Sequence, residues 1–600
     1  MPKKIRTLII TSLVLVACTA PEHFIIEKSW ASRTLKKLTL REKIAQMMVY
    51  NMNMRFLNSN SKQWLEIQEL LASDGIGHLH FWFGDAGSSL TLLNRIQSKS
   101  KIPILVNADV ESGIGRRYPS GTQFPPFMAI AATGDPSNAY LAGKISAIES
   151  RAVGIHLNLS PVLDVNNNPK NPIINTRSFG ESPVLVTQFG LEYIRGLADY
   201  GMLTTAKHFP GHGDTETDSH SSLAQIPSDS TRLWTIELKP FKAAIEFGVD
   251  LVMVAHLTAP DYQTNAEEPA TMSNFWIQDI LKGRLGYRGG IITDAMNMGG
   301  ITQNYSDEFA LIQAINAGSD IIIQNQDFKK SIDVVERAVL TGRIPESRIN
   351  EAAYRTLLLK EKAGLHNQNR IDFEYLQKTL GIKEHRKIAG KMASEAITLV
   401  KNENGILPLN PGQDDTLYIF DLYDNKHNHS ESLVTRKLKS GGRKTITFQI
   451  DKSDSLDYAR SLLEQIPENA LIIVNAFVNP AAHKDDIFLP QAETEFLHDL
   501  NAHSNRVILS SFGSPYIIQE FPETPVYICA YKGSGLMHTA LADALLGKKD
   551  ITGKLPVSIP GVAVRGDGIN IKSNLWKSSN SSLSPGHRLK RIMPSEINAE

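Results

Sequence analysis

A chain of 600 residues with 42% hydrophobic and 7% aromatic side chains is ample for two globular domains and too long for one. Its 63 basic and 63 acidic residues cancel to a formal net charge of zero. That balance argues against a nucleic-acid or polyanion binder and favours a neutral or small substrate.

At the N-terminus, Lys3, Lys4 and Arg6 precede the apolar run "LIITSLVLVA", which has the form of an export signal and is too short for a comfortable transmembrane helix. The tetrad "LVAC" resembles a bacterial lipoprotein signal over residues 1–18, in which Cys18 is lipidated and becomes the mature N-terminus on cleavage. The expectation is an exported protein held to a membrane by a lipid on Cys18, facing the periplasm or the cell surface, with a polar spacer over 19–37. The other cysteine, Cys529 in "PVYICAY", reads as a buried inert thiol.

From Leu38 to Leu365 short apolar runs alternate with helical patterns, the signature of an α/β fold with βα units around a parallel sheet; the expected form is a TIM-type (β/α)8 barrel. Seven strands are predicted: "IGHLHFWF", "IPILVNADVESG", "IHLNLSPVLDV", "LTTAKHF", "DLVMVAHL", "GGIITDAM" and "SDIIIQ". Several end in charged or imidazole side chains, namely Asp109, Asp164, Lys207 with His208, His256 and Asp294. In a parallel barrel such ends converge on the rim that carries the active site. A polar linker and helix (366–395) lead into a smaller open α/β sheet (396–560), and a Ser-rich tail (561–600) reads as a tether or surface wrap. No internal repeat or glycine-rich phosphate loop is present.

The segment "KHFPGHGDTETDSH" (207–220) leaves its strand through Gly211 and Gly213 and reads as a long mobile loop able to close over a substrate. Three chemistries compete for it. His208, His212, Asp214, Asp218 and His220 are potential metal ligands, but their spacing fits no standard zinc motif. The bland reading, natural for Thr215, Glu216 and Thr217, is that the polar groups satisfy one another and the backbone. The third is acid/base catalysis: Asp218 and His220, two apart in an extended stretch, point the same way, so the carboxylate can orient the imidazole and stabilise its cation. A partner is then required, and Asp294, on a rigid strand end, is either a nucleophilic carboxylate or the N-cap of the following helix.

These motifs, with "NADVESG", "SPVLDVNNNPKNPIINTRSFG", "DLVMVAH" and "LGYRGGIITDAMNM", resemble glycoside hydrolase family 3, and within it the β-N-acetylglucosaminidases. The resemblance runs from about Ile44 to Leu365 and continues through "ITLVKNENGILPL", "FGSPY" and "LADALLGKKDITGKLPVSIP". It implies Asp294 as nucleophile, His220 as general acid/base and Asp218 as its orienting partner. It further implies Asp109, Arg177, Lys207 and His208 as contacts to the sugar hydroxyls of the terminal subsite, with Asp164 and His256 there or in support below the rim. Relatives tend to read Asp-Gln-Glu-Gly-Gly where this chain has "DVESG", so Val110 and Ser112 change the loop around Asp109. The implied activity is retaining removal of terminal N-acetylglucosamine from cell-wall muropeptides or chitin-derived saccharides, with no cofactor and no metal. Alternatives are a β-glucosidase or β-xylosidase of the same fold, a phosphorolytic N-acetylglucosaminidase, and a non-catalytic sugar-binding lipoprotein. The second domain is expected to support the rim without contributing chemistry.

Overall fold

The computed structural model describes residues 29–573 apart from 228, 324–326, 369, 410–415, 428–429, 443 and 485–486. Cys18, the export signal and residues 574–600 lie outside the described residues.

A short helix over Trp30–Leu35, inside the predicted spacer, packs on the first domain through Ala31 against Leu357; the next, Leu40–Met47, is started by a capping box in which Thr39 and Glu42 satisfy each other's backbone N–H. Strand β1 (Val49–Met54) follows at once. It is absent from the sequence prediction because the apolar run Met47–Tyr50 continues the helix pattern with no breaker between them. The other strands of the main sheets coincide with predicted runs to within a residue: β2 (His78–Gly84), β3 (Leu105–Ala108), β4 (Leu157–Asn158), β5 (Thr205–Phe209), β6 (Leu251–Val254) and β7 (Gly290–Thr293).

Their ladders form two parallel sheets, a four-stranded one in the order β1-β2-β3-β4 and a three-stranded one in the order β5-β6-β7, and a short parallel pair, Ala224–Gln225 with Leu257–Thr258, stands apart from both. One continuous eight-stranded sheet was expected. The ladder between β4 and β5 is interrupted at Pro161, which has no N–H to donate; on its other edge β5 slips register against β6 between Ala206 and Phe209. Isolated parallel bridges span the gaps: Leu157 with Leu203 and Val162 with Lys207, then Ile292 with Ile321, and Ile322 with Met48.

The second domain holds a six-stranded sheet of β8 (Thr398–Asn402), β9 (Leu417–Tyr423), β10 (Thr445–Asp451), β11 (Leu471–Phe477), β12 (Val507–Ser511) and β13 (Val526–Cys529). Its order is β8-β13-β12-β11-β9-β10, parallel except for the antiparallel edge pair β8–β13. Cys529 is fully buried in β13, and burial pushes its thiol up to about 12, so it stays protonated and unreactive. Residues 561–573, the start of the predicted tail, fold back onto this domain: the N–H of Ile569 donates to Leu399 O at 2.7 Å and Ile551 pairs with Ile571.

Two features lock the domains together. The linker helices Phe373–Thr379 and Lys383–Ala396 dock on the first domain through the buried Glu149 carboxylate, which accepts from the Gly381 N–H at 3.0 Å and from His385 Nδ1 at 2.7 Å. Met128, Ala129 and Ala132, on a first-domain helix, complete the apolar core of the second domain. The second domain therefore sits fixed beside the strand ends.

Candidate active site

Strand ends of the first domain and two loops of the second enclose one cavity of about 680 Å³. Asp109 and Glu111, two apart after β3, both reach it, and the buried Lys207 of β5 lies between them. Lys207 Nζ donates to Asp109 Oδ1 at 2.7 Å and pairs with Glu111 Oε1 at 2.9 Å. Arg177 grips Glu111 with two prongs, Nε to Oε2 at 3.1 Å and Nη2 to Oε1 at 2.8 Å. Arg117 Nη2 and His80 Nε2 stand 3.6 and 3.8 Å from Asp109 Oδ2. Burial by itself would protonate these carboxyls. The adjoining cations outweigh it, holding Asp109 below and Glu111 well below the usual carboxylate range, while the two carboxylates keep buried Lys207 above its ordinary value. The cluster thus offers charged donors and acceptors, the partners that bind vicinal hydroxyls most strongly.

Asp164 sits beneath this cluster with no exposure. It accepts from His208 Nδ1 at 2.7 Å and from the backbone N–H groups of His208 and His212 at 3.1 and 2.7 Å. Its role is to orient His208, whose Nε2 turns to the cavity 3.5 Å from Arg177 Nη2.

The loop 210–223 is fastened along its length, in contrast to the mobile loop expected. Gly211 holds φ +131°, and at Gly213 a Cβ would stand 1.8 Å from Val165 O, so only glycine permits the contact. Asn171 Nδ2 donates to the carbonyls of His212 and Gly213 at 2.8 and 3.1 Å. The N–H groups of Gly299 and Gly300 donate to the carbonyls of His220 and Ser219. His212 is spent internally, its ring nitrogens 2.8 Å from Thr215 Oγ1 and 2.9 Å from Ser219 Oγ.

Burial drives His212 down to about 4, so it is neutral when folded, whereas an unfolded imidazole titrates near 6.5. A folded-state pKa below the unfolded one means stability present above pH 6.5 and lost as pH falls towards 4, here on the order of 3 kcal/mol. The carboxylates Asp109, Glu111 and Asp164, also depressed, add losses below about pH 4. The expected melting temperature therefore declines from pH 6.5 downward, and His212→Gln flattens the pH 6.5–4.5 part of the curve; an unchanged slope in differential scanning fluorimetry excludes His212 as its source.

Asp218 and His220 meet in a tight turn, which corrects the extended geometry expected. Ser221 and Ser222 N–H groups return to Asp218 O, and Asp218 Oδ1 accepts from both the backbone N–H of His220, at 2.9 Å, and its Nδ1, at 2.7 Å. The carboxylate accepts only, so Nδ1 carries the proton and Nε2 is the free nitrogen of His220, which lines the cavity. Burial opposes ionisation of Asp218, and its hydrogen bonds from His220 overcome this and keep it charged. Its second oxygen accepts from the backbone N–H of His483 at 2.7 Å, a residue of the second domain.

Asp294 follows β7 and lines the same cavity. Its Oδ1 accepts from the Ala295 N–H at 2.8 Å, but the next helix starts at Gly299 with Met298 before it, so Asp294 is not the helix cap. Burial would raise its pKa; His208, His256 and His220 hold it below the ordinary value and therefore ionised. His256 stays below, 2.8 Å from Thr271 Oγ1 and 2.9 Å from Ala295 O, bracing the segment that carries Asp294.

Family models for the glycosyl hydrolase family 3 N-terminal and C-terminal domains match residues 39–359 and 397–582. The chain belongs to glycosyl hydrolase family 3. Among family 3 relatives it is 27% identical over 492 residues to a "Beta-N-acetylglucosaminidase/beta-glucosidase" of Cellulomonas fimi, covering 79% of this chain and 86% of that one. Similar solved structures include a family 3 β-N-acetylglucosaminidase from Paenibacillus sp. str. FPU-7 (29% identity, TM-score 0.76, 86% of this chain and 98% of that one). Another is a beta-glucoside phosphorylase, BglX (26% identity, TM-score 0.80, 88% and 95%).

Within this family 3 frame, the cavity gathers Asp109, Arg177, Lys207, His208, His220 and Asp294, with Asp218 directly behind His220. Sequence reasoning passed over Glu111 as a functional residue, although a carboxylate two positions after Asp109 in "DVESG" was a visible signal. It also missed the second-domain loops at Asn479–His483 and at Lys532–Gly533, which line the cavity, the first of them holding Asp218 through the His483 N–H. No local pattern marks them, because they reach the site only through docking of the domains. Among the described residues no three His, Cys, Asp or Glu side chains converge as a metal site.

Proposed function

We propose that this enzyme is a retaining exo-β-N-acetylglucosaminidase. The observation that carries the reading is His220, oriented by buried Asp218, in one cavity with ionised Asp294 and the Asp109/Glu111/Arg177/Lys207/His208 cluster. The β-N-acetylglucosaminidase names of relatives support it. The terminal sugar lies against the charged cluster while an Asp294 oxygen attacks its anomeric carbon and the proton on His220 Nε2 passes to the leaving oxygen. Water then attacks the same carbon, returns a proton to Nε2 and frees the Asp294 carboxylate. The carboxylate behind the ring stabilises the imidazolium that each cycle regenerates.

Muropeptides are the leading substrate class and chitin-derived saccharides the second. The reading includes an exported lipoprotein attached through Cys18, which rests on "LVAC" alone. It also includes a closed (β/α)8 barrel, supported by the parallel bridges that link the two sheets of the first domain. In the deciding experiment, purified protein is offered the p-nitrophenyl N-acetyl-β-glucosaminide, β-glucoside and β-xyloside. The expected kcat/KM is highest on the first, with no loss in a chelator; preference for the glucoside or xyloside overturns the assignment.

A further inference from the structure

Strands β9 and β11 are neighbours in the second-domain sheet and end side by side, so the loops that follow them touch. Asp424, one residue past β9, accepts from the Asn479 N–H at 3.2 Å and pairs with Lys484 Nζ. Both ends of the segment 479–484 are thus tied to one carboxylate. Between them the Lys484 N–H returns to Ala481 O at 3.3 Å, closing a tight turn whose third residue is His483. The turn faces the catalytic cavity.

Histidine suits that backbone poorly. The φ of His483 is +62°, the left-handed conformation that turns of this kind reserve at their third position for glycine or asparagine. Side-chain-bearing residues held in it are strained, and such residues cluster at functional sites. Two contacts show what the strain serves. The His483 N–H donates to Asp218 Oδ2 at 2.7 Å. The His483 ring meets the His220 ring edge-on, with centroids 5.5 Å apart and planes at 73°. Glycine would supply the same N–H with less strain, so the N–H alone does not account for a histidine. The ring contact does.

That contact falls where the acid/base is least constrained. The bond between Nδ1 and Asp218 Oδ1 anchors one side of the His220 imidazole, and the side chain is otherwise partly exposed to the cavity. Rocking of the ring about this anchor displaces Nε2, the atom that hands its proton to the leaving oxygen. A second ring packed edge to face, a preferred arrangement of aromatic pairs, opposes the rocking. The carboxylate behind is secured from the same side: burial opposes the charge on Asp218, and the bonds from His220 and from the His483 N–H outweigh it.

We propose that His483 is a positioning residue for the acid/base, its imidazole holding the His220 ring in line with the leaving oxygen while its N–H steadies Asp218. The inference rests on the glycosidase reading above. The second domain then does more than support the rim, because the His220 ring is aligned only when the domains are docked. Proton transfer requires donor and acceptor to be aligned, so loss of the contact acts on the step that needs the acid. A poor leaving group depends on that step and a good one hardly does.

The test compares wild type, His483→Gly, His483→Phe and Lys484→Met on the p-nitrophenyl and the phenyl N-acetyl-β-glucosaminides, with the melting temperature of each protein. The two glycosides share sugar and aromatic ring and differ in how much acid help the departing phenol needs. His483→Gly keeps the N–H and relieves the backbone, so it is expected to melt at or above wild type. Its kcat is expected to fall, with the loss on the phenyl glycoside about tenfold greater than that on the nitrophenyl glycoside. His483→Phe, which replaces the ring, is expected to recover most of that difference. Lys484→Met frees one end of the turn without touching the acid/base pair and is expected to show the same bias, which keeps the comparison available if His483→Gly does not fold. Equal losses on the two glycosides in folded variants, no loss at all, or a His483→Phe no better than His483→Gly overturns the positioning role alone. A wild type inactive on both glycosides overturns the glycosidase reading and the positioning role with it.

Discussion

Asp294→Asn is expected to lower kcat/KM on an aryl N-acetyl-β-glucosaminide by about 10⁴-fold or more, with KM changed far less. The amide keeps the shape of the side chain but cannot form the glycosyl ester, so the two-step route is lost outright. The position of Asp294 makes the test clean. It is held on a strand end by its own backbone bond to Val254 and by the Ala295 N–H, neither of which needs the charge. Thermal melting is expected near that of wild type. Activity within tenfold of wild type, in protein shown by melting to be folded, removes Asp294 from the nucleophile role.

His220→Ala carries the second large effect, and its size depends on the leaving group. General acid catalysis contributes about 10²–10⁴-fold. The loss is therefore expected at the lower end for p-nitrophenol, which departs with little help, and at the upper end for a saccharide. Asp218→Asn is expected to follow the same leaving-group trend, because the amide no longer stabilises the imidazolium. Combined with His220→Ala it adds little, since an orienting group has nothing left to orient. Equal losses on both leaving groups, or additive losses in the double variant, point instead to a structural role for the pair, which the Asp218 bond to His483 would supply.

How much of this was legible in the chain differs from element to element. Six of the seven strands that build the two larger sheets of the first domain were visible because each is a short apolar run closed by a charged residue or a turn, whereas the predicted run "SDIIIQ" contributes only isolated bridges at Ile321 and Ile322. The first, Val49–Met54, was hidden because its apolar residues continue a helix. Residues that gather in the cavity were also legible: Asp294, Lys207, His208 and His220 lie in motifs dense in chemistry-bearing residues. The geometry of the loop was not. Periodicity suggested an extended Asp218–His220 pair, whereas a turn closed by Asp218 O brings ring and carboxylate together.

The sequence by itself determined the parts that depend on local order. These are the alternation of strands and helices, the family, and the residue types on each strand end, since a strand fixes which side chains point to its rim whatever surrounds it. The tertiary structure alone decided which charges are used up and which are left over. Glu111 is consumed by Arg177 and Lys207, Asp164 by two histidine segments, and Asp218 is divided between His220 and a loop more than 260 residues away, its bond to His483 spanning a separation of 265. His483 reaches Asp218 only because the domains dock. Charge pairing acts across space through distance and burial, and neither quantity is written in the order of the residues.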